Sequence, residues 1–314
     1  MSPPDPGLAD ALRVVDQTLA GLARADIPLG PLTTYRVGGP ARLFVCIESD
    51  DHLDRVSAAV AESQIPVLVV GKGSNLLVAD AGFAGLAIQL GEGFAQVTFS
   101  GTTVRAGGAA SLPVVARRTA AAGLTGFEWA VGVPGSIGGA VRMNAGGHGA
   151  DMAASLARVR VVDLAAHKDG VVTTDALELR YRSSVLDAYQ LVVWAELELA
   201  RGNPTESEAA VSEIVRWRRA NQPGGQNAGS VFTNPLGDSA GRLIEHAGAK
   251  GLRIGSAEVS AKHANFIQAD RDGLAGDVWA LMVEVRRRVF ADSGVVLHPE
   301  TRLVGFAPMP ELAA

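Results

Sequence analysis

Residues 126–149, GFEWAVGVPGSIGGAVRMNAGGHG, contain eight glycines and one proline in 24 positions. Glycine loses more backbone entropy on folding than any other residue. Such a density therefore indicates a backbone that must reach positive φ or approach something closely. Bare backbone N–H groups in turns attract phosphates and polarised carbonyls. The segment predicts a backbone surface that packs against a planar, phosphate-bearing cofactor. The alternative interpretation is a glycine-rich loop that bridges two domains.

Length and composition limit the classes of protein to which the chain can belong. A length of 314 residues suggests about two domains. The chain is 47% hydrophobic and 19% charged, which favours a sizeable core over disorder. Its formal net charge is −5, and nucleic-acid binding without sequence preference depends on an excess of Lys and Arg. We therefore expect no nucleic-acid partner.

Several simple patterns concern location and metals. Cys46 is the only cysteine, so no intramolecular disulfide can form, which fits a reducing cytoplasm. The first residues carry acids and prolines rather than a signal peptide's apolar stretch, and no run of about 18 apolar residues occurs. The histidines lack HxxxH or HxH spacing, which predicts no metal site. We expect a cytoplasmic protein with no membrane partner and no obligate protein partner.

Strand-like and helix-like segments mix along the chain without a fixed period, which predicts an α+β fold without repeats. Predicted strands cover residues 66–70, 86–90, 97–100, 102–107, 158–164 and 191–199. One predicted helix is capped by Asp50, and others begin at Ser111, at a capping box of Thr205 and Glu208, and after the cap Ser239. A last helix is indicated by the apolar stripe of Leu274, Val278, Leu281, Val285 and Val289. The first eight or so residues and residues 306–314 are expected to be frayed tails.

The turn GKGSN, residues 71–75, directly follows the predicted strand 66–70. A glycine turn after a strand is typical of a pyrophosphate site. However, Leu76 stands where a dinucleotide fingerprint of the Rossmann type has its third glycine. The spacing does not match a P-loop either. Two interpretations stay open: a phosphate nest of backbone N–H groups with Ser74 and Asn75, or a simple tight turn.

Three polar segments are candidates for chemistry. Arg182, in YRSS, suits a bidentate grip on a carboxylate or phosphate, and an ordinary surface arginine is the alternative. Ser230 follows two small residues, and no GxSxG motif or suitably spaced histidine marks it as a nucleophile. It is either a proton donor to a strong carbon base or a turn serine. Glu300 is either a site carboxyl or the surface partner of Arg302.

Seven blocks follow one another along the chain: TTYRVGGPA (33–41), VVGKGSNLLV (69–78), GFEWAVGVPGSIGGAVRMNAG (126–146), YRSS (181–184), AGSVFTNP (228–235), AGRLIEHAGAKGLRIGSAEVSAKHANFI (240–267) and HPETRLVG (298–305). In this order they resemble the UDP-N-acetylenolpyruvoylglucosamine reductase family, also called UDP-N-acetylmuramate dehydrogenases. The resemblance covers roughly residues 28–305. No block supplies the extra tyrosine loop of one family branch, which indicates the branch with the shorter substrate domain.

The resemblance implies an α+β architecture with a two-subdomain FAD-binding fold of the vanillyl-alcohol-oxidase/p-cresol-methylhydroxylase type plus a smaller α+β substrate domain. We expect an N-terminal tail and lead-in at 1–27, an FAD-binding domain at 28–202 with subdomains of about 28–90 and 91–202, a substrate-binding domain at 203–305 and a C-terminal tail at 306–314. The family implies that NADPH reduces non-covalently bound FAD. The flavin then reduces UDP-N-acetylglucosamine enolpyruvate to UDP-N-acetylmuramate, in cytoplasmic peptidoglycan precursor synthesis.

Residue roles carry over from the matching blocks. Arg182, Ser230 and Glu300 match the family's catalytic residues, and Tyr181, Asn234 and His263 are expected to contact substrate. The expected FAD contacts are Gly71, Lys72, Gly73, Ser74, Asn75, Leu76, Gly132, Pro134, Gly135, Ser136, Gly138, Gly139, Asn144 and Gly146. Hydride addition to the vinyl carbon distant from the ether leaves negative charge delocalised into the substrate carboxylate. Arg182 and a protonated Glu300 would stabilise that charge, and Ser230 would protonate the adjacent carbon.

The chain departs from the family at one position, and two other functions are alternatives to the reductase. Many relatives carry a lysine where this chain has Asn221, so a cation near the substrate diphosphate is either missing or replaced by Arg218 or Arg219, or by Lys262 and His263. An oxygen-using oxidase on the same flavin fold is one alternative; such enzymes often attach FAD through a histidine, which GKGSN lacks. A regulatory flavin- or nucleotide-binding protein without turnover is the other, and the presence of all three catalytic candidates argues against it.

Overall fold

The structure of the chain is a computed structural model that describes residues 6–312. Its α-helices are α1 (Pro6–Thr18), α2 (Asp50–Ser63), α3 (Leu112–Ala121), α4 (Ile137–Arg142), α5 (Pro204–Asn221), α6 (Ala240–His246) and α7 (Ala275–Ser293). Its strands are β1 (Arg24–Pro28), β2 (Pro40–Ile47), β3 (Val67–Val69), β4 (Leu76–Val78), β5 (Phe83–Leu90), β6 (Val97–Ser100), β7 (Thr103–Gly107), β8 (Leu124–Thr125), β9 (Gly146–Gly147), β10 (Ala150–Asp151), β11 (Leu156–Asp163), β12 (Lys168–Thr173), β13 (Gln190–Glu198), β14 (Ala200–Arg201), β15 (Arg253–Ile254), β16 (Ala257–Val259), β17 (Ile267–Ala269) and β18 (Arg302–Val304).

The chain divides into two compact units, each built from separate stretches of sequence. Unit 1 comprises the described residues of Met1–Ile27 together with Arg42–Lys72 and Gly85–Arg218. Unit 2 comprises Pro28–Ala41, Gly73–Ala84 and the described residues of Arg219–Ala314. The turn GKGSN therefore contributes its first two residues to unit 1 and the other three to unit 2.

Unit 1 contains two hydrophobic cores that share a five-stranded antiparallel sheet, in the order β12-β11-β13-β7-β6. Successive side chains of a strand point to opposite faces of its sheet. Along β13, Val192 belongs to one core, whereas Leu191 and Val193 belong to the other. A second sheet has the order β1-β2-β5-β3, in which β3 and β5 run parallel. Because parallel strands end at the same edge, the residues that follow β3 and β5 lie side by side.

Unit 2 is organised around the long helix α7. Val278, Leu281, Val285 and Val289 are fully or almost fully buried and form one core with residues of β16 and β17. The carboxylate of Asp80 accepts hydrogen bonds from the first two backbone N–H groups of this helix, at 2.9 and 2.8 Å. A carboxylate at a helix N-terminus satisfies donors that have no partner inside the helix.

The structure differs from the prediction at the starts of three helices. Ser49, rather than Asp50, caps α2, since its hydroxyl accepts from the N–H of His52. The side chain of Asn203 accepts from the N–H of Thr205 at 2.9 Å, so α5 begins at Pro204 and the predicted capping box is wrong. Leu274 precedes α7 and is 56% exposed, so it does not belong to the apolar stripe.

The chain ends are more ordered than the sequence suggested. Residues 1–5, 313 and 314 lie outside the described part, but α1 begins at Pro6 and buries Val15 in a core. Near the other end, Phe306 stacks on Trp279 with 6.1 Å between ring centroids. Arg286 donates to the carbonyl of Pro310 at 3.1 Å. The prediction of a frayed segment is therefore wrong for residues 306–310, which are anchored to α7.

Two further observations concern the described residues as a group. None of the helices within residues 6–312 is both long enough and apolar enough to serve as a membrane span. Within the same residues, no three His, Cys, Asp or Glu side chains come together in a group that could hold a metal ion.

Candidate active site

Unit 1 holds a cavity of about 290 Å³ at the edge where β3 and β5 end. Five of the predicted cofactor residues line it, namely Gly71, Lys72, Ser136, Gly138 and Gly139. The parallel pairing of β3 with β5 positions Gly71, because the side chain of Gln89 at the end of β5 donates to its carbonyl at 3.0 Å. The structure thus brings the glycine turn and the glycine-rich segment to one cavity, which their separation in sequence did not reveal.

The glycine turn and the start of α4 approach each other closely at this cavity. A Cβ atom added at Gly71 would lie 2.6 Å from the hydroxyl oxygen of Ser136, so only glycine fits there without movement. The Ser136 hydroxyl itself accepts from the N–H of Gly139, which makes it the N-cap of α4. A Cβ added at Gly139 would meet no atom nearer than 3.5 Å, so the protein's own packing does not require glycine at this position.

The lining of the cavity suits part of a dinucleotide. Lys72 and Arg142 supply positive charge, and Glu48 and Glu92 supply carboxylates. The apolar lining comes from Val69, Val70, Leu90, Ala109, Leu191 and Val192. Apolar walls with a few convergent polar groups are typical of cofactor sites, and the volume is near the lower end of the range of about 300–1,000 Å³. The open space at Gly139 and this donor set fit a part of FAD. Arg142 was not predicted as a site residue, although it lies within residues 126–149.

Many glycines of residues 126–149 are needed by the chain's own packing rather than by a cofactor. A Cβ at Gly146 would lie 2.6 Å from the Cβ of Asp151, and one at Gly138 would lie 3.2 Å from the carbonyl oxygen of Gly108. Gly126 and Gly149 adopt positive φ. The segment therefore combines a cavity wall at Gly138 and Gly139 with tight packing and turns elsewhere.

Arg182 occupies a tight turn in unit 1. The N–H of Arg180 donates to the carbonyl of Ser183 at 3.0 Å, and the N–H of Ser183 donates to the carbonyl of Arg180 at 3.1 Å. Tyr181 and Arg182 are the two central residues, and Arg182 has a φ of 56°. Its guanidinium donates to the carbonyl of Gly146 at 2.9 Å and lies 5.1 Å from the ring centroid of Tyr181. The Tyr181 side chain is exposed.

Ser230 and Glu300 lie on neighbouring backbone segments of unit 2. The N–H of Glu300 donates to the carbonyl of Val231, the residue after Ser230, at 2.8 Å. Both Ser230 and Glu300 are half-buried. The side-chain amide of Asn75 donates to the carbonyl of Glu300 at 3.0 Å, which brings one predicted cofactor residue to the same place. The backbone segments that carry a hydroxyl and a carboxyl from distant parts of the sequence therefore lie side by side in this unit.

Asn265 holds the segment that carries Ser230 in place by hydrogen bonds. No sequence pattern predicted it as a site residue. Its side chain accepts from the N–H of Phe232 at 3.0 Å and donates to the Phe232 carbonyl at 2.8 Å. Its own carbonyl accepts from the N–H of Val231 at 2.9 Å. Asn265 is 4% exposed. A polar residue among the apolar ones of KHANFI was the available signal.

The other predicted substrate residues have partners inside unit 2. The Asn234 side chain accepts from the N–H of Ala240 at 3.0 Å, at the start of α6. His263 packs edge-on against Phe266, and the N–H of Asn265 donates to its Nδ1 at 3.3 Å. Burial lowers the pKa of His263 below its usual value, so its neutral form is favoured.

The remaining predicted cofactor residues are spread over both units. In unit 2, Gly73 has a φ of 61° and a Cβ there would lie 2.2 Å from the Leu32 carbonyl oxygen; Ser74 is half-buried and Leu76 pairs with Arg302. In unit 1, Gly132, Pro134 and Gly135 lead into α4, and the Gly135 carbonyl accepts from the N–H of Leu112 at 3.0 Å. Asn144 is buried, with its side chain bonded to Asp151, Arg180 and Ala153.

Two family models match the chain. A model described as the C-terminal domain of UDP-N-acetylenolpyruvoylglucosamine reductase matches residues 221–304, and a model of an FAD-binding domain matches residues 41–172.

Relatives and a solved structure agree with these matches. A UDP-N-acetylenolpyruvoylglucosamine reductase of Anoxybacillus flavithermus is 39% identical over 295 residues, which cover 92% of this chain and 96% of the relative. One of Acidiphilium cryptum is 42% identical over 284 residues, covering 89% and 90%. The crystal structure of the Thermus caldophilus reductase superimposes with a TM-score of 0.79 at 35% identity, covering 90% of this chain and 99% of that one.

Proposed function

The chain belongs to the UDP-N-acetylenolpyruvoylglucosamine reductase family, and on that premise we propose that it reduces UDP-N-acetylglucosamine enolpyruvate to UDP-N-acetylmuramate. It is an FAD oxidoreductase that uses NADPH and acts on the enolpyruvyl carbon–carbon double bond in peptidoglycan precursor synthesis. Within the structure, the observation that best supports this reaction is the pairing of Val231 with Glu300, which places the Ser230 hydroxyl and the Glu300 carboxyl on adjacent segments.

The residues that hold FAD are proposed from the cavity in unit 1. Lys72 and Arg142 supply the positive charge that a diphosphate needs, and Gly139 leaves room for a close approach. The further contacts expected from the sequence stay proposals, and for Asn144 a contact through the side chain is replaced by the role argued below. FAD bound there would supply the hydride chemistry, which links NADPH as donor to the terminal vinyl carbon of the substrate as acceptor.

Arg182 and Glu300 have the chemistry to stabilise the charge that this addition creates. Addition of hydride to the terminal carbon leaves an electron pair delocalised into the substrate carboxylate. A guanidinium binds a carboxylate through two parallel hydrogen bonds, and a protonated carboxyl donates one more. Groups held in place before the charge appears lower the barrier because they need not reorganise.

Ser230 supplies the proton that completes the reduction. The carbon next to the ether gains a C–H bond from the Ser230 O–H, so one hydride from NADPH and one proton are added across the double bond. Such a carbanionic centre is basic enough to take a proton from an alcohol. The position of this single donor then fixes the configuration of the lactyl product.

The cation expected in place of the family lysine is proposed to be Lys262. Asn221 is the last residue of α5, and the Lys262 ammonium donates to the carbonyl of Arg219, two residues earlier in unit 2. Lys262 is exposed, so a diphosphate can reach it. Tyr181, Asn234 and His263 stay proposals for the remaining substrate contacts, and a cytoplasmic location stays a prediction.

The test is spectroscopic and kinetic. We expect the purified protein to be yellow, to release its flavin on denaturation, and to oxidise NADPH rapidly only when the enolpyruvyl nucleotide is present. Covalently retained flavin with oxygen-dependent turnover would favour the oxidase alternative, and bound flavin without any turnover would favour a regulatory protein.

A further inference from the structure

We propose that Asn144 and Ser184 are positioning residues that fix the orientation of Arg182 for catalysis. The proposal rests on the function proposed above, in which Arg182 stabilises the charge that develops on the substrate carboxylate. It adds two side chains that touch neither substrate nor hydride but hold the turn that carries the guanidinium. Every contact on which it depends lies within unit 1.

The backbone of Arg182 has a conformation that requires external support. Its φ of 56° lies in the left-handed region, which is unfavourable for a residue with a long side chain. Such conformations persist where the surrounding structure over-determines them, and they are concentrated at functional sites. The question is therefore which groups hold the turn formed by residues 180–183.

Asn144 holds the start of this turn. Its side-chain N–H groups donate to the carbonyl of Arg180 at 3.1 Å and to the carboxylate of Asp151 at 3.0 Å. Its side-chain oxygen accepts from the N–H of Ala153 at 3.0 Å. Asn144 is 3% exposed. Both donors and the acceptor of one buried amide thus connect the Arg180 carbonyl to two segments that follow the glycine-rich region.

Ser184 holds the other end of the turn. Its hydroxyl donates to the carbonyl of Arg142 at 2.7 Å, at the end of α4. Arg142 also lines the cavity proposed for FAD. The turn is consequently fixed on both sides of Arg182 to the segment 142–151, which runs directly on from the cavity wall.

The guanidinium of Arg182 is fixed to the same segment. It donates to the carbonyl of Gly146 in β9, and β9 pairs with β10 through Gly146 and Asp151. There is no room for a side chain at Gly146, because a Cβ would lie 2.6 Å from the Cβ of Asp151. Asp151 therefore pairs with the residue whose carbonyl orients the guanidinium, and its carboxylate also bonds to Asn144. A neutral carbonyl partner orients the charged group without cancelling its charge.

This arrangement predicts a kinetic effect without a contact to substrate. Loss of the Asn144 or the Ser184 hydrogen bond lets the turn at residues 180–183 relax from its left-handed conformation and moves the Arg182 guanidinium. A displacement of about 1 Å at a positioning group can slow a reaction by about 100-fold. The effect should fall on the step in which charge develops on the substrate, while reduction of the flavin by NADPH does not involve Arg182.

The experiment is a double-mutant cycle on the FAD-loaded enzyme. Asn144→Gly removes the amide and still permits the positive φ of 38° at this position. Ser184→Ala removes the hydrogen bond to the Arg142 carbonyl, and this variant tests the proposal if Asn144→Gly does not fold. Each change is made alone and together with Arg182→Ala, and stopped-flow absorbance measures flavin reduction by NADPH and flavin reoxidation by the enolpyruvyl nucleotide. FAD affinity is measured by fluorescence, and Asn203→Ala, which removes a helix cap far in sequence, is the control for general destabilisation.

We expect each variant to slow flavin reoxidation by substrate about 10- to 100-fold with Arg182 present, and by less than about twofold in the Arg182→Ala background. Flavin reduction, FAD affinity and the control variant should change little. Two results would overturn the proposal. One is that a variant slows flavin reoxidation by the same factor with Arg182 and with Arg182→Ala; the other is that it slows flavin reduction and flavin reoxidation equally. If the unaltered protein binds FAD but does not reduce the enolpyruvyl nucleotide, the proposed function itself is wrong, and this inference falls with it.

Discussion

The side chain of Asn265 pairs with both backbone polar groups of Phe232, accepting from its N–H at 3.0 Å and donating to its carbonyl at 2.8 Å. Phe232 follows Ser230 by two residues and is itself 1% exposed. The buried side-chain amide of Asn265 therefore bonds to the Phe232 backbone as a neighbouring strand would. These bonds fix the backbone of the segment that carries Ser230. The serine owes its position to a residue that makes no contact with substrate in the proposed reaction.

Replacing Asn265 should therefore reduce stability and activity together. Asn265→Ala leaves two buried backbone groups of Phe232 without partners, and each unsatisfied group costs about 1–3 kcal/mol. Asn265→Asp retains the acceptor but loses the donor and places a buried carboxylate against the Phe232 carbonyl, so we expect a loss of unfolding free energy at least as large. Denaturant titration gives the free energies; an alanine variant as stable as the unaltered protein would contradict the assigned role.

The single cysteine offers a direct probe of the cavity in unit 1. Burial and a hydrogen bond from the thiol to Glu48 raise the pKa of Cys46 to about 11. At pH 8 only about one thiol in a thousand is then ionised, and reaction with a disulfide reagent should be slow and rise about tenfold per pH unit up to pH 10. Glu48→Gln, which removes the neighbouring negative charge, should speed the reaction.

Because Cys46 lines that cavity, added FAD should slow its modification in flavin-free protein. Absorbance of the released thiol chromophore measures the rate, with urea-unfolded protein as the reference for an open thiol. Equal rates with and without FAD, at concentrations at which flavin fluorescence reports binding, would place the cofactor elsewhere.

Lys262 can be tested against a matched lysine of the same unit. Lys262→Ala should raise KM for the enolpyruvyl nucleotide about tenfold with little change in kcat, as expected for the loss of one charge-assisted hydrogen bond to a diphosphate. Lys250→Ala is the control, since Lys250 bonds to Glu245 at 2.9 Å on the surface of unit 2. If both variants have the KM of the unaltered enzyme, Lys262 does not bind the substrate.

Local patterns in the sequence predicted the elements well where the chemistry is local. The strands β6, β7, β11 and β13 were predicted at nearly their observed positions, because runs of β-branched and other apolar residues of strand length are visible in the sequence. Helix starts were displaced by a residue where two capping residues compete, as with Ser49 beside Asp50. Leu274 fits the helical period but is exposed, and periodicity alone cannot distinguish a helix cap from its first turn.

The site was predictable in its residue types and less so in its contacts. Collinear blocks identified Arg182, Ser230 and Glu300 as candidates, but hydrogen bonds across long sequence separations decide what holds them. The resemblance predicts that Asn144 contacts FAD, which stays a prediction, and no local pattern predicted that its amide bonds to Arg180 and Asp151. Asn265 had no local signal beyond being polar among apolar neighbours. Contacts of this kind follow from the fold and not from spacing.

The most direct test of the account concerns the proton that Ser230 is proposed to deliver. Flavin of the Ser230→Ala variant is reduced with NADPH under anaerobic conditions and then mixed with the enolpyruvyl nucleotide, while absorbance follows flavin reoxidation. Ser239→Ala, which removes the N-cap hydroxyl of α6, is the control for loss of a serine in the same unit. We predict that NADPH reduces the variant flavin at the rate of the unaltered enzyme, and that substrate reoxidises it about 10²- to 10⁴-fold more slowly. Reoxidation at the unaltered rate, with normal product, would contradict the account.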